Sequence, residues 1–338
     1  MKVDELMSVQ LELLIDTYID KRDIEDIIFS LGYSKSDNSY LWHNDIYVSI
    51  RGCWFSFSYD VEISYEKEDR IVKTVCSTTT HAGRSYDDFQ IQLDTIKKLE
   101  KAFGGIVYND GEEGYFENDI PKLTRTEIAC GYAYITFERN LASVEGLIEE
   151  VDLEKIKFYE DSGIPLIFEK NYIRNNILLP FFVSIMENLL KTITYRYIET
   201  NEEAQNLIYK KKDSKLPYNI VRELLNGEKT IIDIEIEEYS FQNFNSANKA
   251  FERYLDINLF EDILSNQVSI EGKQTKLVSV LSEMINYRHK LIHEAYLNNT
   301  LSKDKMNVYY SSLKQLGNFL VQCLKEKKNI RIELEKYL

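Results

Sequence analysis

From Leu178 to Tyr197 apolar side chains recur at Leu178, Phe181, Phe182, Ile185, Met186, Leu189, Leu190, Ile193 and Tyr197. This is helical spacing sustained over about five turns. A helix with such a stripe is stable only when other elements cover it, so the sequence around it has to build a bundle. The flanking segments supply the cover: helical stretches are predicted over Pro217–Asn226, Ser246–Leu255, Lys273–Leu297 and Lys303–Lys328, separated by breaks at Ser214, Gly227, Asn258 and Asn298–Thr300. Pro180 falls early in the stripe, where the first turn of a helix tolerates it, so the helix is expected to begin there. Thr230–Tyr239 alternates like a strand, which a bundle does not require.

The preceding half of the chain mixes two periods. Met1–Tyr18 and Asp23–Leu31 have helical spacing, the second ending at Gly32 where a C-terminal cap needs positive φ. Phe55, Phe57, Tyr59, Val61, Ile63 and Tyr65 alternate with polar residues as in a half-buried strand. Ile71–Cys76 follows after the charged turn Glu66–Arg70, which makes a hairpin. Ser85 with Asp88 reads as a capping box opening a helix that runs to Gly104-Gly105. A short strand pair, Ile106–Tyr108 and Tyr115–Phe116, brackets the turn Asn109–Gly111. A helix over Leu123–Val151 and a mixed segment, Lys155–Lys170, lead to a break at Gly163-Ile164-Pro165. The expected fold class is therefore α+β: an N-terminal α+β domain with antiparallel strands (1–170), then a C-terminal all-α bundle (171–338).

Charge separates the same two halves. Residues 1–170 carry 18 Lys+Arg against 34 Asp+Glu, and residues 171–338 carry 23 against 22. The overall −15 thus belongs to the first half, and a cationic site for a polyanion remains open in the second. The stretch Ile177–Leu190 is interrupted by Ser184, Glu187 and Asn188 and is shorter than the roughly 20 residues of a bilayer span. The acidic N-terminus does not read as a signal peptide. We expect a protein of the cytoplasm with no membrane partner. Cys53, Cys76, Cys130 and Cys323 stand singly, as buried thiols do.

Two of only four histidines, His289 and His293, lie at i and i+4 within Asn286–Glu294, with Arg288 one position round from His289. On a helix this places both imidazoles on one face. Arg288-His289-Lys290-Leu291-Ile292-His293 resembles the signature of the HEPN superfamily of ribonuclease-like helical domains: an Arg, a polar residue, three of any kind and a His, late in a bundle. The resemblance extends to the long helix from Leu178, with Glu187 where many members carry an inward polar residue, and covers about residues 171–338. It implies metal-independent RNA cleavage without a cofactor by a homodimer whose two motifs share a cleft, commonly in toxin–antitoxin and antiviral systems. An antitoxin or another regulatory protein is then a further partner.

The chemistry is consistent with this by itself. Cleavage by 2′-hydroxyl attack needs a base, an acid for the leaving 5′-oxygen, and a cation at the phosphate. Imidazole serves either proton role near neutral pH, and guanidinium binds two phosphate oxygens at once. Arg288 and His293 are the expected catalytic pair, with His289 holding the phosphate or orienting His293 and Glu187 in a supporting role. Plainer readings exist: Arg288 and His293 as a solvated face pairing with Glu294 or Glu283, Glu187 simply reaching solvent, or the whole bundle as a non-catalytic module for dimerisation and partner binding. His-x-x-x-His is also a metal spacing, but no Glu follows the first His and no third ligand is evident, so no metal is expected. Elsewhere His81–Ser85 reads first as a tight turn with a Ser cap rather than an anion site, and Trp42–Asp45 as a hairpin turn. No GxGxxG, GxxxxGK or Gly-x-Ser-x-Gly signature occurs, which argues against nucleotide-fuelled and serine-hydrolase chemistry.

Overall fold

The computed structural model describes residues 8–49, 51–65, 68–163, 169–211, 215–270 and 273–332. The chain forms two compact units, divided between Ile128 and Ala129. The second unit therefore includes segments after 128 that the expected division at 170 places with the first. The expected break at Gly163–Pro165 falls largely outside the described residues.

The first unit is an antiparallel sheet with two helices on one face. Its strands are β1 (Val9–Ile15), β2 (Ser34–Ser36), β3 (Ser39–Trp42), β4 (Cys53–Tyr65), β5 (Glu68–Thr80), β6 (Ile106–Asn109) and β7 (Glu112–Glu113), in the order β2-β3-β4-β5-β1-β6-β7. Helices α1 (Lys21–Ser30) and α2 (Tyr86–Phe103) bury Ile24, Ile28, Leu93, Ile96 and Leu99 against Leu11, Leu13, Ile15, Phe55, Cys76 and Val107. The β4–β5 hairpin follows the predicted alternation in a register from Trp54 opposite Thr79 to Tyr65 opposite Glu68. Gly32 takes φ 92 after α1, as its position requires.

The predicted helix over Met1–Tyr18 is not formed: Val9–Ile15 is a strand between β5 and β6, and residues 1–7 lie outside the described set. Gln10-Leu11-Glu12-Leu13 also alternates with period 2, and pairing on both sides decides between the two patterns. The short pair after α2 is likewise shifted. Its second strand is Glu112–Glu113, because Phe116 leaves the sheet to stack on Phe89 of α2 at a centroid distance of 4.2 Å.

The capping box is present: Asp88 N–H donates to Ser85 Oγ at 3.1 Å and Ser85 N–H to Asp88 Oδ2 at 2.9 Å. The buried Asp88 carboxylate also accepts from Ser49 Oγ, Arg51 N and Gly52 N. The sharp chain reversal at 81–85 is thus a structural junction that ties α2 to the loop before β4.

In the second unit α3 (Arg125–Glu145) enters from the first, followed by α4 (Leu153–Ser162), α5 (Lys170–Thr200), α6 (Glu202–Tyr209), α7 (Tyr218–Leu225), α8 (Ile231–Glu237) and α9 (Phe244–Ala250). Two π-helical turns, Phe251–Leu255 and Leu259–Leu264, lead to the hairpin β8 (Gln267–Ile270) and β9 (Lys273–Lys276), then α10 (Leu277–Glu294) and α11 (Lys303–Lys328). Helix α5 is central and packs on α6, α8, α9, α10 and α11. It starts well before Pro180, which lies inside the helix rather than in its first turn. By length and composition α5 could cross a membrane, although 56% of its apolar window is buried inside the unit. The alternation at Thr230–Tyr239 proves helical: Thr230 and Asp233 form a capping box, and α8 buries Ile232, Glu235 and Ile236. Burial would raise the Glu235 carboxyl, but hydrogen bonds from Lys211 and Tyr254 hold it below its ordinary value.

All four cysteines are buried thiols, and burial pushes those of Cys53, Cys76 and Cys130 up to about 12. Where α11 crosses α3, Gly317 admits the buried ring of Phe137: a Cβ there would stand 2.6 Å from Phe137 Cε1 and 3.2 Å from Tyr134 Cε2. Gly317→Ala gains about 1 kcal/mol of helix propensity but overpacks a close crossing at about 1–3 kcal/mol. Urea unfolding should show a net loss of about 1 kcal/mol; a more stable variant would mean that the Phe137 ring yields freely.

Candidate functional site

Helix α10 is built in two parts. Its N-terminal part buries Leu277, Val280, Leu281 and Met284 in the core around α5, whereas from Asn286 onward the helix leaves the core and its side chains are half-buried or exposed. Arg288, His289 and His293 all lie on this emerging end. Arg288 is half-buried and both histidines are exposed. The two imidazole rings lie 4.5 Å apart between centroids with an interplanar angle of 41°. Four basic side chains, Arg288, His289, Lys290 and His293, thus stand near the helix C-terminus, where the exposed carbonyls favour positive charge. Ala295 at φ 52 ends the helix, its N–H donating to Lys290 O.

Among the described residues none of the three has an ion pair or a hydrogen-bonded side-chain partner. Glu283, one acid expected to neutralise them in the plainer reading, is engaged elsewhere. It accepts from Lys305 Nζ at 2.6 Å and from Tyr287 Oη at 3.3 Å. Glu294 is exposed at the end of the helix and makes no ion pair among the described residues. Nor does a third His, Cys, Asp or Glu join His289 and His293 in a group able to hold a metal ion among the described residues. Glu187 lies half-buried on α5 and accepts from Gln242 Nε2 at 2.5 Å, so its bond is to the α8–α9 connection rather than to the 288–293 segment.

The chain leaving α10 is held by two buried asparagines at the start of α5. Asn298 N–H donates to Asn176 Oδ1 at 2.7 Å, and Asn176 Nδ2 donates back to Asn298 O at 3.2 Å. Asn175 Nδ2 donates to Leu301 O at 3.0 Å and to Glu149 O at 2.9 Å. The motif therefore ends against a fixed loop. Sequence reasoning missed this clamp, since two adjacent amides ahead of the long apolar stripe give no sign of the distant backbone groups they will hold. Buried beside it, Tyr172 Oη and Asn298 Nδ2 have no hydrogen-bond partner among the described residues. Exposed apolar side chains adjoin the clamp in sequence on both sides: Ile177 and Phe181 on α5, Ile292 and Tyr296 around the end of α10.

The chain thus offers one guanidinium and two imidazoles on the end of a packed helix, enough for a phosphate contact and one or two proton-transfer groups. Comparison with protein-family models, curated proteins and solved structures finds no match.

Asn176→Ala would strip the buried N–H and C=O of Asn298 of their partners, at a cost of about 2–4 kcal/mol. Urea unfolding should register that loss, and hydrogen exchange should quicken at the amides of 296–301. Exchange as slow as in the parent would show that other contacts hold the loop.

Proposed function

We propose that the protein is a metal-independent endoribonuclease of the HEPN type, cutting RNA at a site shared across a homodimer. The observation that carries the reading is the Arg288, His289 and His293 trio: three groups suited to phosphate chemistry on the emerging end of a packed helix, the two imidazoles in ring contact and none of the three in an ion pair or side-chain hydrogen bond among the described residues. In this reading the 2′-hydroxyl of one nucleotide loses its proton to an imidazole and attacks the adjacent phosphorus, while the departing 5′-oxygen takes a proton from a second imidazole. The products are a 2′,3′-cyclic phosphate and a 5′-hydroxyl. Arg288 clamps the non-bridging oxygens as charge accumulates there, His293 is the principal proton-transfer group, and His289 holds the phosphate or orients His293. Two motifs facing each other across a two-fold axis supply base, acid and two clamps. The exposed Ile177, Phe181, Ile292 and Tyr296 give such a contact apolar area to bury. A toxin or antiviral defence role, held in check by an antitoxin or other regulator, is the setting we favour. The first unit would then serve as a sensor, specificity or partner-binding domain.

The same exposed apolar residues favour a second reading, a non-catalytic module that dimerises and recruits partners. Incubation of purified protein with RNA in EDTA separates the two: cyclic-phosphate ends support the enzyme, whereas a clean dimer that spares every RNA supports the module.

His293→Ala should lower the cleavage rate by about 10²-fold or more, the order a general acid or base supplies, with an unchanged melting curve. An equally active variant removes His293 from the mechanism. Arg288→Lys preserves charge but loses the planar fork, so a large fall in rate is expected under single-turnover conditions. Near-parental cleavage would return Arg288 to a solvated-surface role. Mixing subunits altered at Arg288 with subunits altered at His293 tests the shared site: independent sites in each subunit predict no activity beyond that of the two parents.

A further inference from the structure

The exposed Tyr218, Val221 and Leu225 of α7 point to no particular ligand, whereas a groove beside α11 does. The groove has a volume of about 300 Å³ and lies between strand β8 and one face of α11. That is the lower end of the range for small-molecule sites. From α11 come Asp304, Asn307, Ser311, Ser312 and Gln315, which the helical period gathers on a single face over about 16 Å of axis. Ser269 adds a further hydroxyl from β8, and Val268 with Val308 supplies the apolar lining. Among the described residues none of these polar side chains has an ion pair or a hydrogen bond.

Ser312 is the informative member. It is 2% exposed, yet its hydroxyl meets no partner among the described residues, and it lines the groove. Buried hydroxyls elsewhere in the chain are engaged: Thr194 Oγ1 donates to Leu190 O at 2.8 Å, and Thr80 Oγ1 to Gln92 Oε1 at 2.8 Å. A buried polar group left without a bond costs free energy unless something brings one. Asp304 alone is a carboxylate in the first turn of α11, where the helix dipole favours it, and Asn307 and Ser311 are exposed as on any solvated face. Neither account covers Ser312.

The lining also restricts what fits. Among the described residues that form it there is no Lys or Arg and one carboxylate, so a phosphate would meet repulsion and no clamp. An apolar ligand would strip water from the hydroxyls and amides and replace none of their bonds. A divalent cation needs several oxygen ligands, most of them charged or carbonyl, and finds one carboxylate. An uncharged molecule rich in both donors and acceptors satisfies hydroxyls and amides together, and a carboxylate is the group that accepts from the hydroxyls of a ribose.

We propose that the groove between β8 and α11 binds an uncharged ribose-bearing ligand, a nucleoside or the free sugar. Asp304 accepts from the vicinal diol, Asn307 and Ser312 hydrogen-bond the rest of the molecule, and Val268 and Val308 cover its apolar side. The proposal does not rest on the ribonuclease reading, because the ligand carries no phosphate and meets none of Arg288, His289 and His293.

Isothermal titration calorimetry of the full chain tests it with adenosine, guanosine, cytidine, uridine and ribose. At least one nucleoside should bind, and its 5′-monophosphate should bind more weakly. Asp304→Asn should weaken that nucleoside about 10-fold by removing the charged acceptor. Its 2′-deoxy form should lose a similar factor on the parent and little more on the Asp304→Asn chain, since both changes delete the same bond. Ser311→Trp, at an exposed position, should fill the groove and abolish binding with an unchanged melting curve. Ser312→Ala should weaken binding about 5-fold without lowering the melting temperature, because the hydroxyl it removes has no protein partner. Ribose binding as tightly as the nucleosides, with the same dependence on Asp304, would support the site and identify the free sugar as its ligand. The proposal is overturned if neither ribose nor any of the four nucleosides binds, if affinity is indifferent to Asp304→Asn and Ser311→Trp, or if the monophosphate binds more tightly. It is overturned equally if Ser312→Ala lowers the melting temperature and leaves affinity unchanged, which would make the hydroxyl a structural group bonded through water.

Discussion

Burial of helix α5 is the constraint on which the second unit depends. Its apolar residues, from Leu178 through Phe182, Met186, Leu189 and Ile193 to Tyr197, form a broad stripe that is buried along its length. Each such side chain is worth roughly 1.5–3 kcal/mol when removed from water. That energy is available only if helices cover the stripe, and α6, α8, α9, α10 and α11 do so. The candidate site follows from the geometry of that cover. Helix α10 buries Leu277, Val280, Leu281 and Met284 in its first half, whereas along its second half side chains are half-buried or exposed and the basic residues gather near its end. The same emergence from the core leaves Arg288, half-buried, and His293, exposed, without an ion pair or a hydrogen-bonded side-chain partner among the described residues.

Much of this was legible in the sequence, wherever a single period ran long enough to admit one interpretation. The alternation from Phe55 to Tyr65, the Ser85–Asp88 capping box, the stripe of α5 and the helical stretch Lys303–Lys328 each carry one pattern, and all are present. Short apolar runs were ambiguous. Val9–Ile15 satisfies both helical and strand periods and became a strand because β5 and β6 offer hydrogen bonds on both sides. Ile231–Glu237 alternates like a strand but has a capping box at Thr230 and no partner strand among the described residues, so local capping prevailed. Pro180 misled for a related reason: a proline inside a helix costs a hydrogen bond and a ring clash, and the burial of α5 outweighs both.

The site was legible in its chemistry and not in its setting. Arg288, His289 and His293 could be picked out because charged and titratable residues on a packing helix break its pattern. Asn175 and Asn176 could not, since an amide in sequence gives no indication of which distant carbonyl it will meet. The exposure of α7 was hidden in the opposite way. Tyr218, Val221 and Leu225 have the spacing of a buried face, and only the fold reveals that nothing among the described residues covers it.

The clamp between Asn176 and Asn298 joins positions 122 residues apart in the chain. During synthesis at about 5–20 residues per second, α5 leaves the ribosome well before the segment that its asparagines will hold. Until then the stripe of α5 has only part of its cover, and the end of α10 has nothing to rest against. Contacts of such long range are slow to form because the intervening chain must first give up its freedom. A nascent chain therefore carries the most exposed form of its largest apolar helix for several seconds. The same delay postpones the framing of the Arg288–His293 segment until the fold around it is nearly complete.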